Sequence, residues 1–190
     1  MCGIFGKINF DPSRKIADRE IKEMADSIRH RGPDDEGYYV HENVGLGFRR
    51  LSIIDLSTGH KPLSNEDGTI WIVFNGEIYN FHELRELLAR KGHTLKTKTD
   101  TECIVHLYED FGEDCVTHLR GMFAFALWDE RKKVLFCARD RFGIKPFYYF
   151  FDQHSFAFGS EIKAIRSGHQ TSLDLDADAL DSYFTYGYIS

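Results

Sequence analysis

The apolar runs of this chain arrive in groups instead of alternating one by one with helices. Met122–Asp129, Val134–Arg139, Phe147–Phe151 and Ser155–Gly159 follow each other, joined by charged turns such as Glu130-Arg131-Lys132-Lys133. Earlier strand patterns fall at Gly3–Phe10, Gly37–His41, Val44–Phe48 and Ile70–Phe74. Helical spacing appears at Asp18–Arg29 through Ile21, Met24, Ala25 and Ile28, again through Phe81, Leu84, Leu87 and Leu88, and at Asp100–Phe111. Asn80 is placed to cap the second of these and Gly92 to stop it. A short helix near Glu161–Arg166 and a helical pattern in Asp176–Ser190 follow. A doubly wound parallel sheet needs strict βαβ alternation. Grouped strands instead predict an α+β fold with two largely antiparallel sheets and helices outside them. The 16 Phe against 3 Met among 190 residues suit packed sheets better than a helical bundle.

Charge and apolar length narrow the function. Lys plus Arg is 24 and Asp plus Glu 30, a net charge of −6 without a basic stripe. Nucleic acid is therefore not an expected partner. No apolar run approaches the roughly 18 residues of a membrane span, and no basic-then-apolar leader opens the chain, so a cytoplasmic location is expected. Cys2, Cys103, Cys115 and Cys137 show no CxxC spacing, and the nine His show no metal-ligand spacing. Reduced thiols follow, with the last three cysteines read as small core residues.

Cys2 differs because only the initiator Met precedes it. Removal of Met1 would place a thiol and a free α-amine on one residue. Such an amine has a reference pKa near 7.7–8.0 and can act as base for its own side chain. Gly3 would let a substrate approach closely.

Blocks spread along the whole chain sharpen this reading. Met1-Cys2-Gly3-Ile4-Phe5-Gly6, Arg29-His30-Arg31-Gly32-Pro33-Asp34, Arg50-Leu51-Ser52-Ile53-Ile54-Asp55 and Phe74-Asn75-Gly76-Glu77-Ile78-Tyr79-Asn80 resemble the glutaminase domain of glutamine-hydrolysing asparagine synthetases. So do Asp100-Thr101-Glu102, Gly121–Ala126, Arg139-Asp140-Arg141-Phe142-Gly143-Ile144-Lys145-Pro146 and Ser160-Glu161-Ile162-Lys163-Ala164. The resemblance implies a class II, N-terminal-nucleophile glutamine amidotransferase with a four-layer αββα sandwich. It implies Cys2 as nucleophile, with the Asn75 side chain and the Gly76 N–H as oxyanion donors. Arg50 is implied to hold the α-carboxylate of L-glutamine and Asp100 its α-ammonium, with Glu77 and backbone at Leu51, Ile53 and Ile54 completing the pocket.

Plainer readings stand beside these roles. Asn75-Gly76 also fits a strand-ending hairpin turn. Thr99-Asp100-Thr101-Glu102 also fits a capping box, with Thr99 as cap. Arg49 reads as a solvated charge, and Arg139-Asp140 as a structural ion pair. Arg31 either contacts substrate or holds its loop.

The resemblance also implies a partner. Asparagine synthetases carry a C-terminal ATP-pyrophosphatase domain with an SGGxDS loop, and Ser167-Gly168-His169 lacks its second Gly, Asp and Ser. Residues 1–170 are thus expected to be the glutaminase domain and 171–190 a connection to a covalently linked synthetase domain. ATP and Mg would belong to that domain, and no cofactor to this one. Homodimerisation is left open. Two alternatives remain: the same glutaminase feeding another acceptor, such as a carbohydrate-linked carboxylate, and a non-catalytic scaffold.

Overall fold

The computed structural model describes residues 2–51, 62–169 and 175–189. Among the described residues nine strands form two sheets, and each of their pairings is antiparallel. The five-stranded sheet runs β2-β3-β1-β9-β8, from Asp35–His41, Val44–Arg50, Gly3–Asn9, Ser155–Gly159 and Tyr148–Phe151. The four-stranded sheet runs β4-β5-β6-β7, from Leu63–Ser64, Ile70–Ile78, Gly121–Asp129 and Val134–Arg139.

Alternation along each strand sorts side chains into layers. Ile4, Leu46, Phe48, Val73, Trp128 and Phe158 meet between the sheets. Phe5 points the other way, onto Ile21, Met24, Ala25 and Ile28 of α1 (Asp18–Ser27) and its C-cap, and Ala164 of α4 (Ile162–Gly168). Ile72, Phe74 and Ile78 turn outward from the second sheet onto α2 (Phe81–Arg90) and α3 (Asp100–Phe111). The result is helix, sheet, sheet, helix, the expected four layers. Each large apolar side chain buried here contributes about 1.5–3 kcal/mol. The fifth helix, α5 (Ala177–Tyr186), has Asp176 accepting from Asp178 and Ala179 at its N-cap and buries none of its residues.

Several local expectations need correction. The strand containing Asn75-Gly76 does not turn there but continues to Ile78, in register with Gly121. The hairpin reading fails because Gly121–Met122 supply β6 partners for two further pairs. Asn80 occupies an N-cap without capping. Its Nδ2 donates to the His118 carbonyl and its Oδ1 accepts from the Arg120 N–H, tying α2 to the segment before β6. Glu102 makes no capping box. Its carboxylate accepts from the Lys96 and Thr97 N–H groups at 2.6 and 2.8 Å and so fastens the preceding loop. The two-residue β4 and the 3-10 turns at Arg29–Arg31 and Gly112–His118 carry too little periodicity to be anticipated. The expected boundary at residue 170 lies outside the described residues, as do Ile53 and Ile54.

Candidate active site

Cys2 immediately precedes β1 and packs against the layer between the sheets. Its thiol lies 3.9 Å from the Leu51 carbonyl, just past the end of β3. The Cys2 backbone is fastened from two directions. Arg31 Nε donates to the Cys2 carbonyl at 3.0 Å. Buried Ser160 holds the next residue but one, its Oγ accepting from the Ile4 N–H at 3.0 Å and its own N–H donating to the Ile4 carbonyl at 2.8 Å. Arg31 in turn donates from Nη1 to Glu161 at 3.2 Å. Burial alone would raise the Glu161 pKa, but hydrogen bonds from Lys163, His30 and Arg31 outweigh it and hold the carboxyl at about 2. Arg31 therefore holds the Cys2 backbone, while its Nη2 is buried with no hydrogen-bond partner among the described residues, so the positioning contact stands beside the substrate reading without replacing it. Ser160 and Glu161 were present only as part of a motif. Their task becomes visible when α4 is folded back beside β1.

Gly3 serves packing more than approach. A Cβ there would sit 2.7 Å from Ile28 Cδ1, on the helix side and away from the intersheet layer.

The opposite wall comes from the end of β5. Asn75 belongs to the row with Val73, facing the first sheet, and is 3% exposed. Its Nδ2 is buried and has no hydrogen-bond partner among the described residues. An amide N–H in that state costs about 1–3 kcal/mol unless something accepts from it. The backbone of the next residue is set by register. Phe123, opposite Gly76, gives its carbonyl to the Asp140 N–H and its N–H to the Asp140 carboxylate. The Phe123–Gly76 pair is thus one whose backbone groups point away from each other, and the Gly76 N–H faces the outer edge of β5. On the same edge, the Ile78 N–H donates to Asp100 Oδ2 at 3.0 Å. Gly76 must lack a side chain, since a Cβ would sit 2.4 Å from the Met122 carbonyl oxygen.

The remaining expected residues fall around these walls. Arg50 ends β3 in the even-numbered row after Leu46 and Phe48, so it faces the second sheet. Asp100 opens α3 beside the β5 edge. Glu77 lies exposed on β5, one residue past Gly76. Leu51 is half-buried against Cys2. The structure brings Cys2, Leu51 and Arg50 together on the first sheet and Asn75, Gly76, Glu77 and Asp100 at the end of the second.

Two expectations about neighbouring charges are overturned. Arg49 is not solvated. It is 5% exposed, donates to the Ala25 carbonyl at 3.1 Å and Asp26 at 2.8 Å, and pairs with Glu36. Arg139 and Asp140 do not pair with each other. Arg139 donates to the Lys145 and Gly143 carbonyls. Asp140 accepts from the N–H groups of Phe123, Phe142, Ile144 and Lys145, which hold its carboxyl low against the opposing effect of burial. Adjacent residues on a strand face opposite ways, so each found its own partners. Cys103 and Cys115 are fully buried as expected, and burial pushes their thiols up to about 12.

Cavity size does not locate this site. A polar cleft of about 450 Å³ lies at the far end of β1, between Lys7, Asn9, Asp152 and His169. Five to seven residues of strand, roughly 16–23 Å, separate that cleft from Cys2.

Comparison with known proteins agrees with the geometry. Residues 1–190 match the family described as "Glutamine amidotransferase domain". The chain is 48% identical over its full length to "Asparagine synthetase [glutamine-hydrolyzing] 1" of Bacillus subtilis (strain 168), of which it covers 30%. It is 44% identical to "Asparagine synthetase [glutamine-hydrolyzing] 3" of Arabidopsis thaliana, over 87% of this chain and 28% of that protein. The chain thus spans about a third of the curated relatives it matches. Among solved structures, the "allosteric regulatory enzyme of purine biosynthesis" superposes with a TM-score of 0.73 at 20% identity, over 88% of this chain and 43% of the other. The B. subtilis glutamine PRPP amidotransferase complexed with ADP and GMP gives 0.69, also at 20% identity and with the same coverage. That likeness extends the fold to distant sequences, while the match along all 190 residues settles kinship: the chain belongs to the glutamine amidotransferase domain family.

Proposed function

We propose that this chain hydrolyses L-glutamine to glutamate and ammonia through Cys2 and supplies the ammonia to ATP-dependent asparagine synthesis by a covalently linked C-terminal domain. The observation that carries the first half is the unpartnered Nδ2 of Asn75 beside an edge-facing Gly76 N–H, across the intersheet layer from Cys2. An amide donor with no acceptor among the described residues, beside a second donor, suits an anion that exists only during reaction.

With Met1 removed, the α-amine of Cys2 takes the thiol proton as Sγ attacks the side-chain amide carbon. The amide oxygen becomes an oxyanion between Asn75 and Gly76. The protonated amine then gives its proton to the departing nitrogen, ammonia leaves, and a thioester remains. Water, deprotonated by the same amine, cleaves the thioester to glutamate and restores the thiol. Arg50 would pair bidentately with the α-carboxylate and Asp100 with the α-ammonium. Asp100 Oδ2 already accepts from Ile78, so it is fixed in place before glutamine arrives. This chemistry needs no cofactor in the glutaminase domain, and ATP and Mg would serve the synthetase domain.

The linked domain is supported by the relatives' length and names. It is also supported by apolar surface left open at Phe142, Tyr149, Phe151, Phe184 and Tyr186, each more than 60% exposed. Among the described residues no helix is long and apolar enough to cross a membrane.

The test uses a cleavable N-terminal extension. Glutamate release should be absent while Cys2 is acylated by preceding residues and should appear when cleavage exposes its amine. Equal activity in both forms would remove the N-terminal amine from the mechanism.

A further inference from the structure

A second cluster of chemistry lies on the outer face of the second sheet, away from Cys2. His93, in the loop between α2 and α3, stands over His106 of α3 with ring centroids 4.7 Å apart. Both rings turn Nδ1 toward one oxygen of Glu109. His106 Nδ1 lies 2.7 Å from Glu109 Oε2 and His93 Nδ1 3.7 Å from the same atom. One ligand atom from each of the three residues lies within 4.8 Å of the others.

The surroundings are organised around this trio. His93 Nε2 lies 3.2 Å from Asp110 Oδ1, and His106 Nε2 lies 3.9 Å from Glu66 Oε1. Both imidazoles thus turn Nδ1 inward, and His93 has its other nitrogen within reach of an outer carboxylate, the placement that orients a metal-binding histidine and raises its basicity. Glu109 Oε1 is held by Asn65 Nδ2 at 2.8 Å, which leaves Oε2 aimed at the rings. Asp110 Oδ2 is held by Lys91 at 3.3 Å. Three carboxylates around two imidazoles leave a negative centre that a divalent cation would neutralise.

We propose that His93, His106 and Glu109 bind a divalent transition-metal ion of the Zn²⁺ class, with water as the fourth ligand. Two imidazoles and one carboxylate suit that ion class. Ligand atoms about 2.0–2.2 Å from a tetrahedral centre lie about 3.4 Å apart, so His106 and Glu109 separate by about 0.7 Å and His93 closes by about 0.3 Å. His106 is 2% exposed and anchored in the helix, while His93 and Glu109 are partly open and give the ion a way in. The bound ion would clip the α2–α3 loop to the helix whose first residue is Asp100. His106 is six residues along α3 from Asp100, about 9 Å, so the ion would stay outside the glutamine site. Its ligands stand at positions 93, 106 and 109, a spacing that matches no zinc-finger pattern.

The probe is Co²⁺, whose visible absorption reports a four- or five-coordinate site. Metal-stripped protein carrying Cys2→Ser, so that the N-terminal thiol is no ligand, is titrated with Co²⁺ and then with Zn²⁺. One equivalent should bind with a visible band, Zn²⁺ should displace it, and Zn²⁺ should raise the Tm. His93→Ala and Glu109→Gln should weaken Co²⁺ binding by more than tenfold and abolish the Tm rise, and Asp110→Asn should weaken it by about tenfold. His93→Asn preserves the polarity of the loop and replaces His93→Ala if that variant unfolds by circular dichroism. Absence of saturable binding up to millimolar Co²⁺, or binding unchanged in the folded His93 variants, overturns the proposal.

Discussion

The two faces of the five-stranded sheet use the same residue type for opposite ends. On the outer face Arg49 is buried under α1 against Asp26, Glu36 and the Ala25 carbonyl. On the inner face Arg50, its chain neighbour, follows Leu46 and Phe48 toward the second sheet. Arg49 is enclosed by the fold, and Arg50 is the residue proposed to hold the substrate carboxylate. The comparison teaches that a basic pair on a strand is two separate devices, because successive side chains leave the pleat in opposite directions.

The largest expected effect falls on the inner face. Cys2→Ala should abolish glutamate release by more than 10³-fold while leaving circular dichroism unchanged, since no large volume is lost. Activity within tenfold of the parent would break the assignment. Asn75→Ala comes next, lowering kcat by about 10²–10³ with KM nearly constant, because its donor would meet charge only in the transition state. A rise in KM with kcat untouched would move Asn75 from the reaction to binding.

The paired arginines separate the two faces directly. Arg49→Ala should lower stability by about 2–3 kcal/mol, less than a fully enclosed ion pair because Asp26 is half-exposed. Its KM for glutamine should hardly move. Arg50→Ala should raise KM by about 10–100-fold, the worth of a charge-assisted hydrogen bond, and lower the Tm less than Arg49→Ala does. Thermal melts and steady-state kinetics on both variants give four numbers, and an exchange of phenotypes would refute the division of faces.

The smallest effect concerns Glu161. Its folded-state pKa is lowered from 4.5 to about 2, so its contribution is fully present above about pH 4.5 and is lost as pH falls toward 2. Glu161→Gln should therefore lower stability most above about pH 4.5, where that contribution is complete, and converge on the parent as pH falls toward 2, which flattens the acid limb. An identical limb in the variant would show that Glu161 does not fasten Arg31.

Most strands and helices could be read from periodicity alone. The range Asp100–Phe111 was anticipated to the residue, because a continuous apolar face between a polar start and Gly112 leaves little choice. Cys2, Asn75, Gly76, Arg50 and Asp100 were legible through motifs, whereas Ser160 and Glu161 acquired their task only once α4 lay beside β1.

Sequence by itself determined the grouping of strands and the residue types available for chemistry, since these depend on local period and composition; the layer count came with the family resemblance. Tertiary structure decided which arginine is buried, that Asn75-Gly76 extends a strand instead of turning, and that His93 meets His106 and Glu109. These choices rest on register and on contacts between segments far apart in the chain, and a one-residue slip along a strand would exchange the faces of Arg49 and Arg50.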